Sequence, residues 1–246
     1  MSVPQEKILC LETRLGPGVK IVKFDDNGLI ALDKPPGIVS HPNGKSIEET
    51  ALLKAYYDQK LKKYSLGNSL DFFLLNRLDS PTSGVIIGCF DQALAEAVIH
   101  SFALNSVEKK YIALTKFTPC PNRGRWEECF QKTLINNRLR LRKAPGEKCI
   151  TCYKILKIID FRGTALALLE LRPITGKTHQ LRAQCAFHNL AIIGDKTYGD
   201  FGLNKQLNKS NLSRMFLHSE SLKIAYNLHG KAYKFLAIST CNFKIL

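Results

Sequence analysis

Two short apolar runs, Phe72 to Leu75 and Val85 to Ile87, are separated by Asn76-Arg77-Leu78-Asp79-Ser80-Pro81-Thr82-Ser83-Gly84. Runs of that length bounded by turn residues read as strands. The segment between them must therefore turn the chain, and it carries an acid while doing so. Turn chemistry alone accounts for an Asp, whose carboxylate commonly accepts a nearby amide, here Thr82 or Ser83. Two features point further. Arg77 lies two residues before Asp79, on the same side of an extended chain. The Thr-Ser-Gly bend lets the Asp project past the sheet edge, and loops on a rigid scaffold are where functional groups gather. Asp79 is thus a candidate catalytic carboxylate. A carboxylate withdrawn from water needs a cation, and Thr175-Gly176-Lys177-Thr178-His179-Gln180-Leu181-Arg182 offers Arg182.

The rest of the chain alternates irregularly between strand and helix signals. Residues 1–20 read as a lead-in broken by Gly16-Pro17-Gly18, and 21–246 as the main domain. Ile21 to Asp33 reads as two strands around Asp25-Asp26-Asn27-Gly28, and Pro35-Pro36-Gly37 forces an irregular stretch. The spacing of Leu52, Leu53, Tyr56 and Tyr57 predicts a helix capped by Ser46. Leu61 to Ser69 reads as loop. Asp91 is an N-cap for a helix to Asn105. Tyr111 to Phe117 is extended, and Ile150 to Asp160 pairs with Thr164 to Leu171. Thr178 opens a helix to about His188, followed by a short strand at Ala191 to Ile193 and a loop from Phe201 to Arg214. Two strands close the chain. Strands and helices without regular βαβ alternation predict an α+β fold.

The net charge of +15 favours a polyanionic partner, nucleic acid before an anionic membrane. Between Asn105 and Gly163 there are fourteen Lys and Arg against five Asp and Glu, a net +9. Within it Arg138-Leu139-Arg140-Leu141-Arg142 alternates with period two, setting three guanidinium groups on one face. That face suits phosphate; a charged edge strand that resists aggregation is the plainer reading. At a helix start, Lys177 with Thr178 and His179 suits an anion, although Thr178 as a simple cap explains as much. Gly176-Lys177-Thr178 is not a nucleotide-binding loop, because that motif needs Gly at position 171, which is Leu. Among the eight Cys the only close pair is Cys149 and Cys152, without the second pair or His residues of a zinc site. Neither a metal nor a cofactor is expected. With no signal peptide and no membrane-length apolar run, the expected location is the cytoplasm, or an organelle after import.

Taken together the motifs resemble the RluA-type pseudouridine synthases. Arg77-Leu78-Asp79 with Thr82-Ser83-Gly84, Lys109-Lys110-Tyr111, Thr175 through Arg182, Gly194-Asp195-Lys196-Thr197-Tyr198-Gly199, and Asp33-Lys34-Pro35-Pro36-Gly37 with His41-Pro42 all match, in the family's order. Departures are Asn76 where His is usual, Lys177 for Arg, Leu181 for Ile, and Ala183-Gln184 for Val-His. The resemblance implies a mixed, mostly antiparallel central sheet flanked by helices and loops, with the active site in a cleft. It implies one catalytic domain without a separate N-terminal RNA-binding module, acting as a monomer on ribosomal or transfer RNA. By likeness, Asp79 is the nucleophile, attacking either the ribose C1′ or the base. Tyr111 stacks on the uracil, Arg182 holds Asp79 ionised, and Arg77 fills the space left by the flipped uridine. Lys177, Thr178 and His179 bind substrate, while Arg138, Arg140 and Arg142 follow the RNA backbone.

Overall fold

The computed structural model describes residues 4–42, 49–135, 138–209, 212–241 and 243. They form two compact units, the first from residues up to Glu108 with Ser219–Cys241, the second from Lys109–His218 with Phe243. The α+β expectation is borne out, with strands paired in antiparallel ladders and one isolated parallel bridge, Val39 to Ala51.

The first unit opens with helix α1 (Gln5–Thr13), then β1 (Lys20–Phe24) and β2 (Leu29–Lys34). The hairpin turn is made as its sequence suggests. Asp25 Oδ1 accepts the amides of Asn27 at 3.0 Å and Leu29 at 2.9 Å. Strands β3 (Tyr56–Asp58), β4 (Lys63–Ser65), β5 (Asp71–Leu74) and β6 (Ser83–Cys89) follow, then helix α2 (Gln92–Ala103). β3 through β6 pair in order, and β2 takes the other edge of β6. Every residue of β6 is buried, as befits a central strand. Asp91 caps α2, accepting from Leu94 N at 2.8 Å, and the helix buries Leu94, Ala95 and Val98.

The helix expected from Ser46 is not there. Ser46 itself lies outside the described residues, but the reason is visible from residue 50 on. Leu52 N donates to Val39 O at 2.8 Å, Lys54 N to Arg14 O at 2.7 Å, and Leu52 O accepts from Gly16 N at 2.9 Å. This backbone is bonded to distant segments and has none left for a helix, while Tyr56 and Tyr57 alternate out and in as a strand. The expected loop from Leu61 to Ser69 likewise contains β4, built around buried Tyr64. The lead-in contains α1, with only Leu11 buried.

The second unit comprises β7 (Glu108–Lys116), β8 (Arg123–Ile135), β9 (Arg138–Lys143), β10 (Glu147–Phe161) and β11 (Thr164–Pro173), in the order β7-β11-β10-β8-β9. Helices α3 (Gln180–Phe187) and α4 (Phe201–Asn208) complete it. Around Trp126, Leu169, Leu171, Leu181 and Ile192 lies its core. The expected loop at Phe201 is α4, capped by Asp200, which accepts from Leu203 N at 3.0 Å. The strand expected at Ala191 to Ile193 reduces to a single bridge between Ile192 and Thr115.

The chain ends in β12 (Leu217–Leu228) and β13 (Lys231–Ile238), whose hairpin packs Leu222, Ile224, Tyr226, Phe235 and Ala237 into the first core. β12 approaches β6 so closely that a Cβ on Gly84 would lie 2.1 Å from Ser219 O, and Gly84 also has φ +111°. The Gly of Thr-Ser-Gly is therefore required by packing as well as by the bend. Ser219 is fully buried there and its hydroxyl has no hydrogen-bond partner among the described residues. Ser219→Ala should stabilise the protein by about 1 kcal/mol, read as a higher urea midpoint at unchanged slope.

Candidate active site

Asp79 is half-buried on the turn between β5 and β6, and Arg77 beside it is exposed. The turn is closed through the main chain, Thr82 N donating to Asp79 O at 2.9 Å. Its flanks are fixed by the Lys34-to-Ser40 segment. Ser40 Oγ donates to Leu78 O at 2.7 Å and accepts from Leu78 N at 3.0 Å. Lys34, with no exposed surface, donates to Pro35 O at 2.9 Å, Ile38 O at 2.8 Å and Ser80 O at 3.0 Å. Ser80 O also accepts from Gly37 N at 2.8 Å. The residues on either side of Asp79 are thus each held by hydrogen bonds from the Asp33-Lys34-Pro35-Pro36-Gly37 segment and Ser40. Asn76, in the place of a family His, accepts from Ile87 N at 2.8 Å and ties the end of β5 to β6. Lys34→Met removes an ammonium that holds three carbonyls. It should cost about 2–3 kcal/mol, seen in the urea midpoint.

The second unit carries the cationic residues. Arg182 sits on α3, whose first six residues are all buried, and is 5% exposed. Its Nε donates to Asp195 Oδ2 at 2.8 Å and its Nη2 to Asp195 Oδ1 at 2.9 Å. Asp195, fully buried, also accepts from Thr197 N at 2.7 Å and Tyr198 N at 3.1 Å. Burial pushes this carboxyl up, but the Arg182 guanidinium and the two amides outweigh it and hold it below its usual range. The Gly-Asp-x-x-Tyr-Gly motif is therefore the mount of Arg182. Its Gly194 has φ +77° and lies against Arg214 O, leaving no room for a side chain.

The helix expected to open at Thr178 starts at Gln180, with half-buried His179 at the N-cap in the left-handed region, φ +56°, and without a side-chain cap bond. Gln180 ties the segment before the helix to its first turn and to β10. Its Oε1 accepts from Lys177 N at 3.0 Å and Thr175 Oγ1 at 2.8 Å, and its Nε2 donates to Ile150 O at 3.0 Å. Thr178 is half-buried and Lys177 exposed, 3.8 Å from Glu147. His179 Nδ1 lies 3.2 Å from Tyr198 Oη. Gln184, in the place of a family His, is fully buried between Glu128, at 2.7 Å, and Thr151, at 2.6 Å. Tyr111 is half-buried on β7 against the second core. On β9, Leu141 is buried, Arg140 half-buried and Arg142 exposed; the side chain of Arg138 lies outside the described residues.

Lys109, two residues before Tyr111, reaches Ile174 O at 3.2 Å and Thr175 O at 3.3 Å. Burial pushes its ammonium down to about 8. The unfolded chain then binds more protons than the folded one between about pH 8 and the free lysine value of about 10.4, so stability rises with pH across that window. Lys109→Met should lose that rise, measured as the difference in melting temperature between wild type and variant at pH 7.5 and pH 10.

Sequence reasoning left Lys34, Ser40 and Asp195 without roles, although Lys34 and Asp195 stand inside matched motifs. Among the described residues no cluster of His, Cys, Asp and Glu is suited to a metal ion, and no helix is long and apolar enough to cross a membrane. All eight cysteines are free thiols.

Comparison with known proteins places this geometry. Residues 28–187 match the family model described as RNA pseudouridylate synthase. A ribosomal large subunit pseudouridine synthase C of Haemophilus influenzae is 28% identical over 88% of this chain and 64% of its own length. A tRNA pseudouridine synthase C of Vibrio cholerae is 28% identical over 83% of this chain and 85% of its own. The chain spans 64% of the length of the first of these relatives. The solved structure of human RNA pseudouridylate synthase domain containing 1 shares the fold, with TM-score 0.67 and 20% identity over 90% of this chain and 84% of its own. With the Asp79 turn, the Arg182 mount and the order of the motifs on one chain, the protein belongs to the RNA pseudouridylate synthase family, among the RluA-type enzymes.

Proposed function

We propose that this protein is an RNA pseudouridine synthase, with residues 21–246 working as one catalytic domain. The observation that carries the reading is the half-buried Asp79 carboxylate on a turn whose flanking residues are pinned by Lys34 and Ser40. A group that must meet one carbon atom needs such a rigid mount. The names of the relatives support ribosomal or transfer RNA as substrate.

The target uridine leaves its stack and enters the pocket, at a cost that new contacts must offset. Exposed Arg77 fills the vacated place, and Tyr111 stacks on the uracil. The Asp79 carboxylate attacks as nucleophile at the ribose C1′ or at the base, and Arg182 is a second catalytic residue. The C1′–N1 bond breaks, the uracil turns, a C1′–C5 bond forms, and the bond to Asp79 breaks, which frees its carboxylate. The C5 proton passes to water and N1 regains one, so product and substrate are isomers. Lys177, Thr178 and His179 contact the substrate, and Arg138, Arg140 and Arg142 follow the RNA backbone. The protein works as a cytoplasmic monomer.

RNA carrying tritium at uridine C5 tests the reaction, since isomerisation releases the label to water. Wild-type protein should release it from RNA of cells lacking this protein; no release from that RNA contradicts the proposal. Replacing Arg140 and Arg142 with Gln should flatten the salt dependence of RNA binding by about two contacts' worth of slope. An unchanged slope returns β9 to an ordinary charged edge.

A further inference from the structure

His41 belongs to no step of the mechanism above, yet it is built into the first unit with unusual care. Its ring stacks on Tyr57 at 4.6 Å between centroids and 12° between planes. Tyr57 in turn packs on Tyr64 at 4.8 Å, and Tyr64 Oη donates to Ser40 O at 2.7 Å, directly before His41. The column of three rings is thereby tied to the backbone of the residue before His41. Tyr57 and Tyr64 are buried, at 6% and 0% exposed, while His41 is half-buried. One face of the flat ring is covered by Tyr57, so whatever of the ring solvent reaches is its other face or its edge.

The ring's polar edge is also set. Nδ1 lies 3.0 Å from Pro42 O. A carbonyl only accepts, so Nδ1 carries the proton, and in the neutral ring Nε2 is the acceptor.

The backbone at this residue runs close to that of the candidate nucleophile. Ser40 Oγ makes both of its bonds to Leu78, so His41 and Asp79 each lie one residue, about 3.8 Å along the chain, from a pair in direct contact. Arg77 lies on the other side of Leu78.

We propose that His41 is a stacking platform for an unpaired RNA base next to the uridine held at Asp79. Unpaired bases are held on aromatic rings, histidine among them. A ring already fixed on one face loses little freedom on binding. The position of the stacked base relative to the isomerised uridine rests on the pseudouridine synthase reading; the stacking itself does not.

The test separates the two. Binding of a fluorescein-labelled single-stranded U10 RNA is measured by anisotropy beside an abasic ribose-phosphate strand of the same length. His41→Ala should weaken U10 binding about 10-fold and leave the abasic strand unchanged. His41→Phe should restore most of the U10 affinity. Equal loss on both strands, or no loss on U10, overturns the proposal. If His41→Ala melts below the assay temperature, His41→Phe against His41→Leu carries the same comparison, and equal U10 affinity for those two variants overturns it. A wild type that releases no tritium yet shows the ring-dependent preference for U10 removes the catalytic reading and leaves the platform standing.

Discussion

Asp195→Ala should destabilise the protein by about 3–5 kcal/mol and abolish tritium release together with it. The carboxylate it removes is fully buried and accepts two bonds from Arg182 and two from the amides of Thr197 and Tyr198. Without it a guanidinium that is 5% exposed is left without its buried counter-charge, and the two amides lose their acceptor. Asp195→Asn keeps an oxygen for the amides but loses the charge and one acceptor for the Arg182 fork, so it should fall between wild type and Asp195→Ala. The pH dependence checks the cause. A carboxyl held below its usual range contributes stability above the unfolded value, about 3.9. That contribution is lost as pH falls through the folded value. Wild type should therefore weaken below about pH 4 more steeply than Asp195→Asn. Urea midpoints between pH 7 and pH 3 measure the difference; equal slopes would mean that Arg182 is held by other groups.

Where local chemistry decides a structure, the sequence is a good guide to this protein. Asp25-Asp26-Asn27-Gly28 is a turn because Asp25 accepts the amides that follow it. Asp91 starts α2 for the same kind of reason. Arg138 to Arg142 alternates because β9 sets Leu141 in the core, leaving Arg140 half-buried and Arg142 exposed. Where distant segments compete for the backbone, the local pattern misleads. Leu52 and Lys54 bond to Val39 and Arg14, and no spacing of apolar residues announces that. Helix α4 escapes notice because it buries only Leu207. The candidate site divides in the same way. Asp79, Arg77, Tyr111 and Arg182 stand out as motif residues, and their proposed roles await test. The groups that hold their surroundings do not stand out, because each acts on a segment far along the chain. Lys34 holds Ser80, Ser40 holds Leu78, and Asp195 holds Arg182 from the segment after α3. Asn76, the departure closest to Asp79, is explained locally by its bond to Ile87.

The account rests most heavily on the Asp79 carboxylate. Asp79 is half-buried, and the turn around it is fixed by main-chain bonds and by Lys34 and Ser40. Asp79→Ala should therefore leave the fold and RNA affinity within a few-fold of wild type while removing the nucleophile. Asp79→Asn keeps the shape and loses the charge, and should be as inactive. The direct measurement is single-turnover release of tritium from uridine C5 by wild type and both variants, with enzyme in excess and RNA binding measured in parallel. The account predicts release by wild type and none above background from either variant, with all three binding the RNA. Release by Asp79→Ala at the wild-type rate would contradict it.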